Sequence, residues 1–159
     1  MKDYLLFING QWTPSVAGTL IDDINPASGE VYARVHQGSE RDLEAAVAAA
    51  HAAFQDWGSA LAKVREGYLL AAAEALQSRL QEFAAVLINE GGSPFGKAMF
   101  EAGFCANMLR SAAGECRRIH GETMPSDSPG MFSMSVRRPL GVVVAIAPFN
   151  FPLLLAMKK

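Results

Sequence analysis

RRPLGVVVAIAPFNFP, residues 137–152 of this 159-residue chain, is the stretch that decides the fold class. Within it, residues 142–147 are apolar on both faces of an extended chain, which is typical of a central parallel strand covered by helices. The strand pattern ends at Pro148, and a helix is predicted to begin near Leu153, after a turn that contains Asn150. A parallel strand needs neighbours, each delivered by a crossover unit of roughly 30 residues, and the sequence after this stretch is too short to supply one. We therefore expect an α/β fold of which this chain is an incomplete part.

The first third of the chain has the pattern of short strands. Apolar runs bounded by turn residues predict strands over residues 4–8, 19–24 and 30–36. Asn9 followed by Gly10 is a strong signal for a tight hairpin, with a return strand that opens at Gln11. The cluster at residues 25–29 predicts a second turn.

The middle of the chain is predicted to be helical. Apolar residues recur at helical spacing over residues 42–57, 62–80, 81–89 and 95–119. Ser39, with the acidic Asp42 three residues later, predicts a capping box at the start of the first of these helices. Beyond them, loosely alternating residues 131–138 predict a half-buried strand.

The composition excludes several classes of protein. Apolar residues make up 50% of the chain, which is enough for a packed core and excludes general disorder. Because 16 acidic and 14 basic residues nearly cancel, neither nucleic acid nor a membrane surface is expected as a partner. The longest apolar run, residues 140–149, is about half of the roughly 20 residues that cross a bilayer. With no signal-peptide pattern and only two cysteines, a cytoplasmic protein is expected.

Two motifs allow more than one interpretation. Residues 91–97 fit the G-x4-G-K spacing of a phosphate-binding loop, but a helix pattern precedes them and Ala98 stands where a Ser or Thr would hold magnesium. A break between two helices is therefore favoured. Cys105 or Cys116 could act as a nucleophile with His120 as its base, although buried structural cysteine is commoner. No metal site is expected, because the histidines are too far apart for a local cluster.

Asn150 also has two interpretations that the residues alone leave open. Its amide could donate a hydrogen bond to a developing oxyanion, since ligands of open α/β sheets bind beyond the carboxyl ends of the strands. It could equally be a structural residue that caps the following helix. A second ambiguous feature is the apolar stripe formed by Phe100, Phe104 and Met108, for which core packing is favoured over the lining of an apolar ligand site.

The stretch at residues 137–152 resembles the first cofactor-domain strand of the aldehyde dehydrogenase superfamily, which shows a similar R-x-P-x-G-V … I-x-P-[FW]-N-[FYP]-P pattern. The resemblance covers essentially the whole chain in the family's order. It continues upstream in FINGQW (7–12), NPASGE (25–30), AAVAAA (45–50) with Phe54 and Trp57, and HGE (120–122). Residues 90–101 resemble the branch that acts on benzaldehyde- or vanillin-like aromatic aldehydes.

The resemblance implies an α/β fold equivalent to the N-terminal part of such an enzyme. Residues 1–130 would form the N-terminal arm, with its hairpin, and the helical part of the cofactor-binding domain. Residues 131–138 would be one strand of the bridging, or oligomerisation, domain. Residues 139–159 would be the first core strand and the start of the next helix of a Rossmann-like NAD(P)-binding domain.

The resemblance also implies a reaction. Family members oxidise aldehydes to carboxylic acids with NAD or NADP, through a thiohemiacetal formed by a cysteine thiolate, and a glutamate activates the water that releases the acid. By resemblance, Asn150 is the oxyanion-hole residue and Lys159 matches a lysine to which a proton-relay role is sometimes assigned. The implied cofactor contacts are Ile146, Ala147, Pro148 and Phe149, and the implied substrate tunnel is lined by Phe100, Phe104 and Phe151.

The expected function follows from what the chain contains. The family's catalytic cysteine and glutamate lie beyond Lys159, and neither Cys105 nor Cys116 matches the cysteine motif. We expect an N-terminal fragment of an NAD(P)-dependent aldehyde dehydrogenase that is inactive alone and forms a homo-oligomer, either a dimer or a tetramer. The alternatives are a non-catalytic interaction or oligomerisation module derived from the family, and an unrelated α/β binding protein.

Overall fold

The structure, a computed structural model, describes residues 2–159. Its strands are β1 (Lys2–Tyr4), β2 (Leu6–Ile8), β3 (Gln11–Thr13), β4 (Leu20–Ile24), β5 (Val31–His36), β6 (Thr123–Met124) and β7 (Ser133–Met134). Its helices are α1 (Glu40–Ser59), α2 (Ala62–Ser78), α3 (Leu80–Asn89), α4 (Phe95–Glu115) and α5 (Pro152–Met157). Within the described part of the chain, the strands form three small sheets.

The predicted N-terminal hairpin is confirmed. Strands β2 and β3 pair antiparallel on either side of Asn9 and Gly10. These two residues have φ values of 51° and 75°, the left-handed region that a two-residue hairpin turn of this kind requires and that Asn and Gly tolerate best. Phe7 and Trp12 lie opposite each other on the two strands, with ring centroids 4.8 Å apart. Both the turn and the ring pair are local, which explains why the sequence predicts them.

The second sheet joins β1, β5 and β4 in that order. β4 and β5 pair antiparallel around the predicted turn, where Asn25 Oδ1 accepts the Ala27 N–H at 2.8 Å. β1 runs parallel to β5, a long-range pairing that the local pattern does not predict. The single strand predicted over residues 4–8 is therefore divided at Leu5, because its two halves hydrogen-bond to different sheets.

Helix α1 begins at the predicted capping box. The Ser39 N–H donates to Asp42 Oδ2 at 2.8 Å, and the Asp42 N–H donates to Ser39 Oγ at 3.4 Å. Asp42 also accepts the Ser15 hydroxyl at 2.7 Å and the Val16 N–H at 3.2 Å, which ties the segment after β3 to the helix. These hydrogen bonds, those from Ser39 first, hold the pKa of Asp42 well below its ordinary value.

Helix α4 is the centre of the core. Residues of α2 and α4 form one buried cluster, Ala73, Leu76, Cys105, Ala106 and Leu109. Residues of α3 and α4 form a second, Ala84, Leu87 and Ala98. Many of these residues are alanines, which allow the helices to approach closely. Leu153 of α5 packs against both clusters, so the short last helix is joined to the helical body.

The four long predicted helices are confirmed, with one change at an end. α4 ends at Glu115, earlier than the predicted residue 119. After it, the Arg117 and Arg118 N–H groups bond to the carbonyls three residues before them, Gly114 and Glu115. Such tighter bonds are common where a helix ends, and they turn the chain out of the helix.

The connection between α3 and α4 is a glycine turn that packs on the turn between β4 and β5. Gly92 has φ +63°, and a Cβ at this position would lie 2.8 Å from Pro26 Cγ. Both the backbone conformation and the lack of space therefore disfavour any residue with a side chain. Asn25 Nδ2 donates to Asn89 Oδ1 at 3.2 Å across the same contact. Because a helix and not a strand precedes residues 91–97, this segment is a break between helices, as predicted, and not a phosphate-binding loop.

The last 30 residues differ most from the prediction. Of the strand predicted over residues 131–138, only β7 is present, paired with β6 over two residues. The strand predicted over residues 142–147 is not formed, and Val144 and Ile146 are 75% and 80% exposed. The reason is physical: a strand needs a hydrogen-bonded neighbour, and residues 2–159 offer none to this segment. The helix predicted near Leu153 is confirmed as α5.

Two further points concern the chain as a whole. No helix between residues 2 and 159 combines the length and the apolar character needed to cross a membrane. The division into residues 1–130, 131–138 and 139–159 stays a prediction.

Candidate functional site

The predicted cofactor contacts and Asn150 lie together on the loop that leads into α5. Ile146 and Phe149 are 80% and 91% exposed, Pro148 and Asn150 are also exposed, and Ala147 is half-buried. Phe149 and Asn150 form a turn directly before the helix. This loop therefore presents a continuous set of apolar surfaces next to one side-chain amide.

Asn150 does not cap α5. The N-cap residue is Phe151, which contributes no side-chain hydrogen bond, and Pro152 at the first helical position has no N–H. None of the hydrogen bonds described for residues 2–159 uses the Asn150 side chain. The structural interpretation of Asn150 as a helix cap is therefore wrong, and its amide stays available to a ligand.

Glu101 of α4 takes the place of the missing cap. Its Oε1 accepts the Leu153 N–H at 2.9 Å and the Leu154 N–H at 3.1 Å. These are the second and third residues of α5, the positions that an ordinary N-cap side chain would satisfy. Glu101 is fully buried, and a negative charge there also complements the positive end of the helix dipole.

Lys97 completes this buried arrangement. Its ammonium group donates to Glu101 Oε2 at 3.2 Å and to Ser93 Oγ at 2.8 Å. The same group lies 4.6 Å from the centroid of the Phe151 ring, a cation–π contact. Ser93, Lys97, Glu101 and Phe151 thus form one connected unit, which we call the α5 anchor.

The residues of the predicted substrate tunnel are not all brought together. Phe100 and Phe104 stack at 5.6 Å on one side of α4 and are 58% and 45% exposed, so within residues 2–159 these two rings do not form the predicted core packing, while Met108 is half-buried. Phe151 lies against Lys97, and no ring pair described between residues 2 and 159 joins it to the other two rings. Lys159 is exposed beyond the end of α5.

Neither cysteine is placed to act as a nucleophile. Cys105 is fully buried in the core, and burial, with a smaller contribution from the charge of Glu101, raises its pKa to about 11. Cys116 is also buried, and its thiol lies 3.6 Å from the Ala112 carbonyl. Because only the thiolate attacks an aldehyde, the structural interpretation of Cys105 is the one that the chemistry supports.

Sequence analysis does not single out Glu101 or Lys97 as a pair. A signal does exist, because Glu101 is the one acidic residue within the buried face of α4 that runs from Ala98 through Ala102 to Cys105. Lys97 stands four residues earlier, at the spacing of a helical ion pair. The local pattern does not show that the carboxylate accepts the Leu153 N–H, because that residue lies 52 positions away.

Comparison with known proteins agrees with the resemblance. The aldehyde dehydrogenase family model matches residues 12–159. The chain is 42% identical over 158 residues to a vanillin dehydrogenase of Pseudomonas fluorescens, covering 99% of this chain and 33% of that relative. This match fits the aromatic-aldehyde branch that residues 90–101 predict.

Solved structures give the same result. A salicylaldehyde dehydrogenase from Pseudomonas putida G7, complexed with salicylaldehyde, superposes with a TM-score of 0.93 at 31% identity, over 99% of this chain and 33% of that one. An NAD-dependent benzaldehyde dehydrogenase from Corynebacterium glutamicum superposes with a TM-score of 0.89 at 35% identity, over 98% and 34%. The chain thus spans about a third of the length of the relatives it matches. The chain belongs to the aldehyde dehydrogenase family.

Proposed function

We propose that this chain supplies the oxyanion-binding loop of an NAD(P)-dependent aldehyde dehydrogenase that oxidises aromatic aldehydes to carboxylic acids. The observation that carries the proposal is the position of Asn150. This residue is exposed on the loop before α5, and none of the hydrogen bonds described for residues 2–159 uses its side chain, so its amide N–H groups are free to donate.

Asn150 would act on the transition state. When a thiolate attacks an aldehyde, the neutral carbonyl oxygen gains negative charge, and an amide N–H directed at that oxygen stabilises the charge as it forms. The attacking cysteine and the glutamate that activates water would come from residues outside this chain. The buried Cys105, with its raised pKa, takes no part. Lys159 is proposed as a proton relay near the same site.

The loop before Asn150 suits the nicotinamide end of NAD or NADP. Ile146, Pro148 and Phe149 expose apolar surface, and Ala147 between them is half-buried. Flat apolar surfaces of this kind fit a planar ring better than a phosphate, so these four residues would hold the ring and exclude water from it. The cofactor, when bound, supplies the acceptor for the hydride.

The substrate is proposed to be an aromatic aldehyde held by Phe100, Phe104 and Phe151. The exposed stacked pair Phe100–Phe104 offers an aromatic surface on α4, and Phe151 lies beside Asn150 in the chain. Stacked or edge-on ring contacts would favour an aromatic over an aliphatic substrate. The names of the vanillin, salicylaldehyde and benzaldehyde dehydrogenases among the relatives support this class.

A second candidate function rests on a different observation. Val143, Val144 and Ile146 expose apolar side chains on a segment without a strand partner, and such surfaces recruit other chains. By itself this surface would suit a non-catalytic interaction module. For the enzyme, the homo-oligomer, a dimer or a tetramer, is proposed from the family resemblance. Turnover of an aldehyde in the hybrid enzyme described next distinguishes the enzyme from the non-catalytic module.

The test uses a hybrid enzyme in which this chain replaces the matched third of the Pseudomonas fluorescens vanillin dehydrogenase. We expect the hybrid enzyme to reduce NAD or NADP with vanillin and benzaldehyde, and faster than with an aliphatic aldehyde. The isolated chain should reduce neither cofactor. A folded hybrid enzyme that binds NAD but turns over no aldehyde would contradict the proposal and favour the module. Turnover by the isolated chain that is lost on Cys105→Ala would contradict the assignment of the nucleophile.

A further inference from the structure

The start of α5 is held by a residue from outside its own segment. α5 has six residues, too few to be stable through its own hydrogen bonds, and its N-cap residue Phe151 provides no side-chain acceptor. Its Leu153 and Leu154 N–H groups both donate to Glu101 Oε1. The direction in which the chain enters α5 therefore depends on a carboxylate fixed in the middle of α4.

Burying the Glu101 carboxylate costs free energy, and the packing of its side chain does not explain why this cost is accepted. A fully buried carboxylate loses its hydration, and this loss is offset here by two N–H donors and the Lys97 ammonium group. A well-packed apolar residue at the same place is often as stabilising as a buried ion pair. The feature that an apolar residue could not reproduce is the fixed position of the Leu153 and Leu154 N–H groups.

Asn150 is close in the chain to the fixed start of α5, which follows it, but the segment that precedes it is not fixed in the same way. Two residues separate it from Leu153, and one of them, Phe151, is held by Lys97 through its ring. On the other side, residues 142–149 form no strand, and most of their side chains are exposed. Within residues 2–159, the α5 anchor is thus the buried group nearest to Asn150 along the chain. In the hybrid enzyme, where strands can pair with residues 142–147, the anchor fixes the side of the loop that leads into α5.

We propose that Glu101 is a positioning residue of the oxyanion site: its buried carboxylate fixes the entry into α5 and thereby the place of the Asn150 amide. This inference rests on the proposed function of Asn150. Glu101 itself touches neither substrate nor cofactor. Since a displacement of about 1 Å can cost about 10²-fold in rate, loss of the carboxylate should lower kcat while leaving KM for NAD nearly unchanged.

The decisive experiment is a double-mutant cycle in the hybrid enzyme. Glu101→Leu should lower kcat about 10- to 100-fold when Asn150 is present. In an Asn150→Ala background the same change should lower kcat by less than about twofold, because there is no amide left to position. A purely structural role would lower kcat by the same factor in both backgrounds, and that result would overturn the inference.

The same cycle separates this inference from the proposed function. If Asn150→Ala leaves kcat unchanged, the oxyanion role fails, whatever Glu101 does. If Asn150→Ala lowers kcat strongly but Glu101→Leu does not, the oxyanion role stands and the positioning role is overturned. Glu115→Gln is the matched control, because Glu115 is an exposed acid at the end of the same helix and pairs only locally with Arg118.

A second measurement covers the case in which Glu101→Leu fails to fold. Glu101→Gln keeps one carbonyl oxygen for the Leu153 and Leu154 N–H groups but turns an amide towards Lys97. Its kcat should lie between those of the parent and Glu101→Leu. In the 159-residue chain, amide exchange at Leu153 and Leu154 should be faster in Glu101→Gln than in Glu115→Gln, because a neutral carbonyl accepts an N–H less strongly than a carboxylate. Equal rates would overturn the inference.

Discussion

Residues 98–109 of α4 and residues 142–147 are both largely apolar, yet the first stretch has a buried face and the second is exposed. Ala98 is fully buried and Leu109 is 6% exposed, whereas Val144 and Ile146 are 75% and 80% exposed. A helix satisfies its own backbone hydrogen bonds, so α4 needs only apolar partners, which α2 and α3 supply. A strand must take its hydrogen bonds from a neighbour.

The difference shows that apolar composition alone does not determine burial. Helices α2, α3 and α4 find their partners within the chain, because antiparallel helices need only short connections. The apolar segment at residues 142–147 needs parallel strands, which arrive only through long crossovers. Since the chain spans about a third of the length of its relatives, we expect the covering strands to come from the part of the family fold that this chain does not include.

The largest expected effect is at Asn150, which lies between the exposed segment and the anchored helix. In the hybrid enzyme, Asn150→Ala should lower kcat about 10²–10³-fold, or roughly 3–4 kcal/mol, because one oxyanion donor is lost. Asn150→Asp should be slower still, because a carboxylate would face the growing negative charge. Steady-state kinetics beside thermal melts check both. Near-normal kcat for Asn150→Asp, with a lower melting temperature for Asn150→Ala, would contradict the oxyanion role.

Local patterns explain how much of the fold could be predicted. The hairpin at Asn9, the capping box at Ser39 and the long helices each depend on residues within a few positions of one another, so the sequence predicts them correctly. The parallel pairing of β1 with β5 and the contact from Glu101 to Leu153 join residues about 30 and 52 positions apart. No local periodicity reports such pairs, and both are therefore found only in the structure.

The second expected effect is on stability, and it tests the difference in burial between α4 and residues 142–147. Leu109→Ala should lower the free energy of unfolding of the isolated chain by about 3 kcal/mol, because it leaves a cavity in the first core cluster. Val144→Ala, the matched change in the exposed segment, should cost less than about 0.5 kcal/mol. Urea denaturation followed by circular dichroism measures both. Similar losses for the two variants would mean that residues 142–147 are packed in solution.

A smaller effect is expected at the start of α1. Ser39→Ala removes the hydroxyl of the capping box and should lower the free energy of unfolding by about 1 kcal/mol. Ser59→Ala is the control at the other end of the same helix, since the Ser59 hydroxyl bonds only to the carbonyls of Gln55 and Asp56. Equal stability for Ser39→Ala and Ser59→Ala would show that the capping box is not formed.

The pH dependence of stability gives a further test at the same place. Because folding lowers the pKa of Asp42, its contribution is present above the unfolded value of about 3.9 and is lost as the pH falls further towards the folded value. The stability difference between the parent chain and Asp42→Asn should therefore be largest near pH 7 and shrink below about pH 4. Melting temperatures across this range measure it, and a difference that grows in acid would contradict the assignment.

The most direct test of the contrast between the two apolar stretches is amide hydrogen exchange at residues 142–147, measured in the isolated chain and in the hybrid enzyme. The structure predicts rapid exchange in the isolated chain, where the segment has no strand partner, and slow exchange in the hybrid enzyme, where neighbouring strands can pair with it. Residues 98–109 of α4 should be protected in both. Slow exchange at residues 142–147 in the isolated chain, or rapid exchange in an active hybrid enzyme, would contradict this account.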